Sequence, residues 1–178
     1  MMEFTEFQKI PRLTRPMIVT EKIDGTNAQV LVTDEGKVLA GSRSRFITPE
    51  DDNFGFAAWV RDHEKELLAL GPGRHFGEWW GSGIQRGYGL KEKRFSLFNV
   101  SRWESPIARP ACCGCVPVLY QGMFSTEAVA EVLQRLKAEG SAAVPGFMKP
   151  EGVVIFHVAG NLMFKKTLEK DDEWKGKR

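Results

Sequence analysis

The chain has 178 residues, 42% of them hydrophobic and 27% charged, enough to bury one good core and short for two ordinary domains. Its net charge of +2 and sequence pI of about 8.4 exclude a protein that holds long duplex by phosphate contacts alone, so any nucleic-acid surface must be local. No apolar run approaches the roughly 18 residues of a membrane span, and Met1 to Glu6 has neither the basic nor the apolar part of a signal peptide, so a cytoplasmic protein, of a host cell or of a virus, is expected.

In chain order, residues 17–23 read as a strand, Asp24-Gly25 as a tight turn, and residues 27–33 as a second strand with alternating apolar positions. A third strand, 37–41, follows the Asp34-Glu35-Gly36 turn. Between residues 51 and 70, Phe56, Trp59, Val60, Leu67 and Leu70 recur near helical spacing, and Gly71-Pro72-Gly73 supplies the stop, so one helix is predicted there. Residues 74–80 and 94–103 read as strands, 106–117 as a surface excursion, and 116–120 as a short strand. A second helix is predicted over 126–139, with Ser125 as N-cap, Val129, Val132, Leu133 and Leu136 inward, and Gly140 as C-cap. Residues 152–158 and 162–167 form a hairpin through Ala159-Gly160-Asn161. Strands come in runs rather than alternating with helices, which predicts an α+β fold of two antiparallel sheets flanked by helices, with a cleft between them.

Cys112, Cys113 and Cys115 are an odd number crowded into four positions, a poor disulfide framework and a poor match to paired metal-binding cysteines, so they read as free thiols. His63 reads as a packing or solvent residue, and His75 and His157 as strand residues without catalytic work.

The segment Glu21-Lys22-Ile23-Asp24-Gly25-Thr26-Asn27 places a lysine at the end of an apolar strand, where a glycine turn lets the backbone approach a ligand closely. A lysine amine there can act as a nucleophile once neutral, and burial with nearby positive charge drives it that way, so further cations are expected beside it. Alone, Lys-x-Asp-Gly is a weak signal. Further signals follow it in a fixed order at strand ends.

The set resembles the ligase and capping-enzyme superfamily of covalent nucleotidyltransferases. Residues 21–27 resemble motif I, and Glu21 before it with Thr26-Asn27 after it are most similar to the type 2 RNA ligase branch. Ser42-Arg43-Ser44 resembles motif Ia. Phe76-Gly77-Glu78-Trp79-Trp80-Gly81, running into Gly83-Ile84-Gln85-Arg86-Gly87, resembles motif III with the extension of that branch. Phe95-Ser96-Leu97-Phe98-Asn99-Val100 resembles motif IIIa, Glu151-Gly152-Val153-Val154 motif IV, and Phe164-Lys165-Lys166-Thr167 motif V. The sequence departs from the pattern at Asp24, where that branch often has histidine, and at the adjacent lysines of motif V, of which Lys165 is the better match.

The resemblance implies a nucleotidyltransferase domain over residues 1–178 with no C-terminal accessory domain. It also implies ATP and Mg²⁺ or Mn²⁺ as cofactors, with AMP carried covalently on Lys22. The partner would be a nucleic acid with 5′-phosphate and 3′-hydroxyl ends, RNA favoured, with no membrane partner; an accessory protein is left open. Lys22 would be the nucleophile, with Lys165 and Glu151 beside it in catalysis. Glu21, Asp24, Asn27, Arg43, Glu78, Phe98, Lys165 and Lys166 would contact the nucleotide, Phe98 by stacking on the base and Arg43 by forked contacts. Glu151 and Glu78 would hold the metal, a hard cation that prefers oxygen.

Three competing readings stand beside this one. A minimal DNA ligase shares the chemistry, a capping guanylyltransferase lacks the extension after motif III, and a non-catalytic nucleotide-binding or nucleic-acid-end-binding module would keep the fold without turnover. Lys91, Lys93, Arg94, Lys175, Lys177 and Arg178 are the basic residues that could grip nucleic acid from this domain's own surface, or form a solvated face.

Overall fold

The computed structural model describes residues 3–169. Its strands are β1 (Pro16–Lys22), β2 (Thr26–Val32), β3 (Val38–Gly41), β4 (Phe46–Ile47), β5 (Gly73–Gly81), β6 (Lys93–Leu97), β7 (Cys113–Cys115), β8 (Val118–Met123), β9 (Gly152–His157) and β10 (Leu162–Thr167). The helices are α1 (Phe56–Asp62), α2 (Glu64–Leu67), α3 (Val100–Trp103) and α4 (Thr126–Glu139). One sheet runs β10-β9-β1-β8 and the other β4-β3-β2-β5-β6-β7. The expected α+β architecture of two sheets is present, and every pairing is antiparallel except β6 with β7, which is parallel.

Alternation sorts each strand's side chains into two layers. Met17 and Val19 of β1 and Val153 and Ile155 of β9 pack with Val129, Val132, Leu133 and Leu136 of α4 on the outer face of the four-stranded sheet. Each of those α4 side chains contributes roughly 1.5–3 kcal/mol by burial. Ala28, Val30 and Val32 of β2, with Trp79, Phe95 and Leu97, pack on Phe56 and Val60 of α1, outside the six-stranded sheet. Ile18, Trp80, Tyr88, Val100 and Val116 fill the space between the sheets. The short turn after Lys22 carries the chain from one sheet to the other.

Helix α4 is as the sequence predicts: Ser125 Oγ accepts from the Ala128 N–H at 3.0 Å, and Gly140, at φ +86°, closes the last turn. The predicted helix over 51–70 is broken instead. It leaves helical geometry at His63 (φ −110°) and resumes as α2 and a final 3₁₀ turn. Asp52 lies before the helix and caps it, its carboxylate accepting from the N–H groups of Ala57 and Ala58.

The predicted strand over 94–103 ends at Leu97. Asn99 Oδ1 accepts from the Arg102 N–H and turns the chain into α3. The strand expected over 116–120 begins after Pro117, which has no N–H to donate, and runs to Met123. The cysteine segment, expected in a surface loop, forms β7, where a Cβ on Gly114 would lie 3.0 Å from Ser96 Oγ. Its three thiols are free. Among the described residues, no helix is long and apolar enough to cross a membrane.

Candidate active site

Lys22 ends β1 with its side chain on the inter-sheet face, and its Nζ donates to Glu151 Oε2 at 2.6 Å. The two side chains are 24% and 18% exposed, so the pair is shielded but reachable from the cleft. Glu151 stands next to Gly152, which pairs directly with Lys22 across β1 and β9. At φ +154°, Gly152 has no room for a side chain: a Cβ would lie 2.2 Å from the Lys166 carbonyl oxygen.

Glu21 points to the opposite face. Its carboxylate is buried and accepts from Ser141 Oγ at 2.6 Å and from the Ala142 and Ala143 N–H groups at 2.8 and 2.9 Å. The side chain of Glu21, a residue expected among the nucleotide contacts, anchors the segment after α4 to β1.

The turn after Lys22 is fixed from the other sheet. The Asp24 N–H donates to Tyr88 Oη at 2.8 Å, and Asp24 Oδ2 accepts from Arg86 Nε at 2.9 Å. Arg86 also donates to the Lys149 carbonyl at 3.1 Å, two residues before Glu151, and so ties the turn to the segment that carries the carboxylate. The Gly25 N–H donates to Glu78 Oε1 at 3.1 Å. Any side chain at residue 25 would collide with the Trp79 carbonyl, 2.5 Å from its Cβ.

Glu78 projects from β5, is 8% exposed, and accepts from Asn27 Nδ2 at 3.4 Å. Burial pushes its carboxyl up to about 7. The positive charge of Lys22 and the Gly25 N–H oppose the rise, while the charges of Glu151 and Asp24 add to it. The carboxyl is thus coupled electrostatically to a lysine and a second carboxylate, a combination enriched at functional sites.

The described sequence matches a family model for RNA ligase over residues 15–167. The chain belongs to the RNA ligase family. No curated protein matches it. In structure it is similar to the Naegleria gruberi RNA ligase, whose lysine-to-alanine variant with ATP and Mn is 21% identical at a TM-score of 0.65, over 90% of this chain and 52% of that one. A lysine-to-methionine variant of that enzyme with AMP and Mn is 21% identical at a TM-score of 0.61, over 87% and 50%. At this identity the likeness is one of fold, and the chain spans about half the length of these structural relatives.

In this RNA ligase domain the structure brings Lys22, Asp24, Asn27, Glu78 and Glu151 into one hydrogen-bonded and charge-coupled group. Phe98 lies just past the end of β6, its N–H donating to the Phe76 carbonyl at 3.0 Å, next along the sheet from the Glu78–Ser96 pair, and Arg43 is exposed on the turn between β3 and β4. The motif V lysines divide. Lys165 pairs with Val154 and through it with Thr20, sharing the face of Lys22; Lys166 pairs with Val153 and Glu21 and takes the outer face with α4.

The direct partner of Lys22 is a carboxylate, and Arg86 on Asp24 brings a further cation into the same network. Arg86 and Tyr88 were not among the expected site residues, although the glycine-rich run 81–89 marks a loop shaped to approach something closely. Two of the basic residues considered for nucleic acid are engaged within the domain. Lys93 Nζ donates to the Phe54 carbonyl, and Arg94 pairs with Glu92 over the Trp80 ring. Lys175, Lys177 and Arg178 lie outside the described residues.

Proposed function

We propose that this RNA ligase family domain is an ATP-dependent polynucleotide ligase, in which Lys22 carries AMP as a covalent phosphoramidate and RNA ends are its substrate. The observation that supports this most is the Lys22–Glu151 pair, 2.6 Å apart on one wall, facing Glu78 on the other. A lysine amine with a carboxylate within reach of its proton, and a second carboxyl opposite, suit attack on a phosphate whose developing charge is met by cations.

In the first step the Lys22 nitrogen bonds to the α-phosphorus of ATP, the bond to pyrophosphate breaks, and the amine proton leaves by way of Glu151 or solvent. AMP then passes from Lys22 to a 5′-phosphate, which restores the amine. A 3′-hydroxyl attacks that activated phosphate, forming the phosphodiester and releasing AMP. Lys165, on the face of Lys22, supplies positive charge where phosphate charge develops.

Among the described residues, no three histidine, cysteine or carboxylate side chains cluster as a metal cage. Two carboxylates on opposite walls suit Mg²⁺ or Mn²⁺ shared with nucleotide phosphates, which is how Mg²⁺ is commonly held. Glu151 and Glu78 are the residues that would hold it, and its contribution when bound is to neutralise phosphate charge.

The test is incubation with α-labelled ATP and either metal, followed by denaturation. The expected result is acid-labile label on the wild type and none on Lys22→Ala. An unlabelled wild type with both metals overturns the reading in favour of a binding module.

A further inference from the structure

Residues 3–12 carry neither helix nor strand, yet they follow a regular pattern: Phe4, Phe7, Ile10 and Leu13 recur at every third position. On an extended left-handed backbone of three residues per turn, which Pro11 imposes on Ile10 before it, such residues fall on one edge roughly 9 Å apart. All four are uncovered, at 89%, 84%, 78% and 65% exposure. Singly exposed apolar residues need no explanation, but four in line form a continuous apolar stripe.

A second uncovered surface begins where this arm joins the body. Helix α4 covers β1 and β9, whereas Leu162 and Phe164 of β10, on the same face as their partners His157 and Ile155, remain exposed. With Val129 and the small, exposed Ala130 of α4 they line a groove of about 730 Å³. The arm is fastened at one end of it. His157 Nε2 donates to the Leu13 carbonyl at 2.7 Å, and a Cβ on Gly160 would stand 3.7 Å from Pro11 Cγ. Pro11 and Leu13 thus form the rim, while from Ile10 back to Phe4 the apolar side chains face solvent.

We propose that the groove receives residues 3–10 of a second copy of this chain, each arm lying in the other copy's groove about a two-fold axis. An arm and a groove that share a rim bring both halves of such an exchange side by side, and the symmetric arrangement closes with both apolar surfaces covered. From Phe4 to Ile10 the arm extends about 22 Å, enough to follow the roughly 20 Å of β10. The charges agree with that direction. With the rims together, Lys9 comes to the end of the groove where Glu127 opens α4, and Glu3 to the far end, which carries Lys166. The area suffices as well. Four phenylalanine side chains, two per arm, remove roughly 600–1,000 Å², and the walls they cover lose a similar amount, which reaches the roughly 1,200–2,000 Å² of stable interfaces. The groove is on the outer face of the sheet, turned away from Lys22, so the pairing leaves the cleft open and stands independently of the ligase reading.

The test is sedimentation equilibrium of the full chain across a dilution series in the micromolar range, joined to photo-crosslinking. The expected mass is twice that of one chain. Phe4→Ser with Phe7→Ser, and separately Ala130→Arg, should each raise the dissociation constant of the dimer at least about a hundred-fold, with far-ultraviolet circular dichroism unchanged. Benzoylphenylalanine in place of Phe7 on isotopically heavy copies, mixed with light copies, should link to the light peptide that contains Ala130. A monomeric wild type, a dimer that persists in both variants, or links to heavy peptide alone overturns the proposal; the last of these places the arm in its own groove.

Discussion

Lys22 and Glu151 are 129 positions apart in sequence, yet their charged atoms meet at 2.6 Å because β1 and β9 place Lys22 directly opposite Gly152. The nucleophile's first partner is thus fixed by sheet register. Glu151→Ala removes both that partner and one metal-binding carboxylate. It should lower label transfer from ATP on the order of a hundred-fold, while Lys22→Ala should abolish it. Quantified autoradiography of the two variants beside wild type checks both.

Glu78 makes stability fall with pH. Its folded pKa of about 7 lies above the ordinary carboxyl value of 4.5. The folded state therefore keeps a proton that the unfolded state has lost, and stability declines as pH rises between those values. Glu78→Gln removes the titration. The variant should gain on the order of 1 kcal/mol relative to wild type on going from pH 4.5 to pH 7, read from denaturation midpoints at the two ends.

Arg86 acts on the site through Asp24 and the Lys149 carbonyl. Arg86→Ala should cost about 1 kcal/mol of stability and lower the rate of label transfer more than the apparent affinity for ATP, because it loosens Lys22 and Glu151 together. A double-mutant cycle of Asp24→Asn with Arg86→Gln should show non-additive effects; additivity in both stability and rate would count against the link.

Glu21 is a buried acceptor of three hydrogen bonds from residues 141–143. Glu21→Ala leaves those donors without it and should cost roughly 3 kcal/mol, measured by urea titration. A smaller cost than that of Arg86→Ala would refute its anchoring role.

Lys165 and Lys166 separate by face. Lys165→Ala should reduce label transfer on the order of a hundred-fold, and Lys166→Ala by less than about ten-fold, since only Lys165 shares the face of Lys22. Parallel single-turnover measurements decide between them.

Much of this was legible in the chain because it is written locally. The strand-turn-strand around Lys22, the caps of α4 and the final hairpin depend on neighbours in sequence, and all are found where periodicity and turn residues put them. The partners of the Glu21 carboxylate were not legible, because strand alternation turns it away from Lys22 and residues 141–143 lie about 120 positions along the chain. The break at His63 and the pairing of Cys113–Cys115 with β6 depend on distant contacts that no local pattern encodes. Arg86 falls within the motif III extension, but its partner Asp24 lies 62 positions away, beyond any local pattern.

Among the described residues, strand β10 is an outer strand of its sheet, and most of its side chains are exposed, with Leu162, Met163 and Phe164 at 55%, 70% and 54%. On an apolar outer strand, charge is a common remedy against edge-to-edge association. Lys165 and Lys166 follow that apolar trio directly, one on each face, charges that oppose edge-to-edge addition of copies. A variant that replaced both with alanine would read Leu-Met-Phe-Ala-Ala-Thr along this edge. Beside the loss of label transfer expected of Lys165→Ala, it should self-associate edge to edge at working concentration.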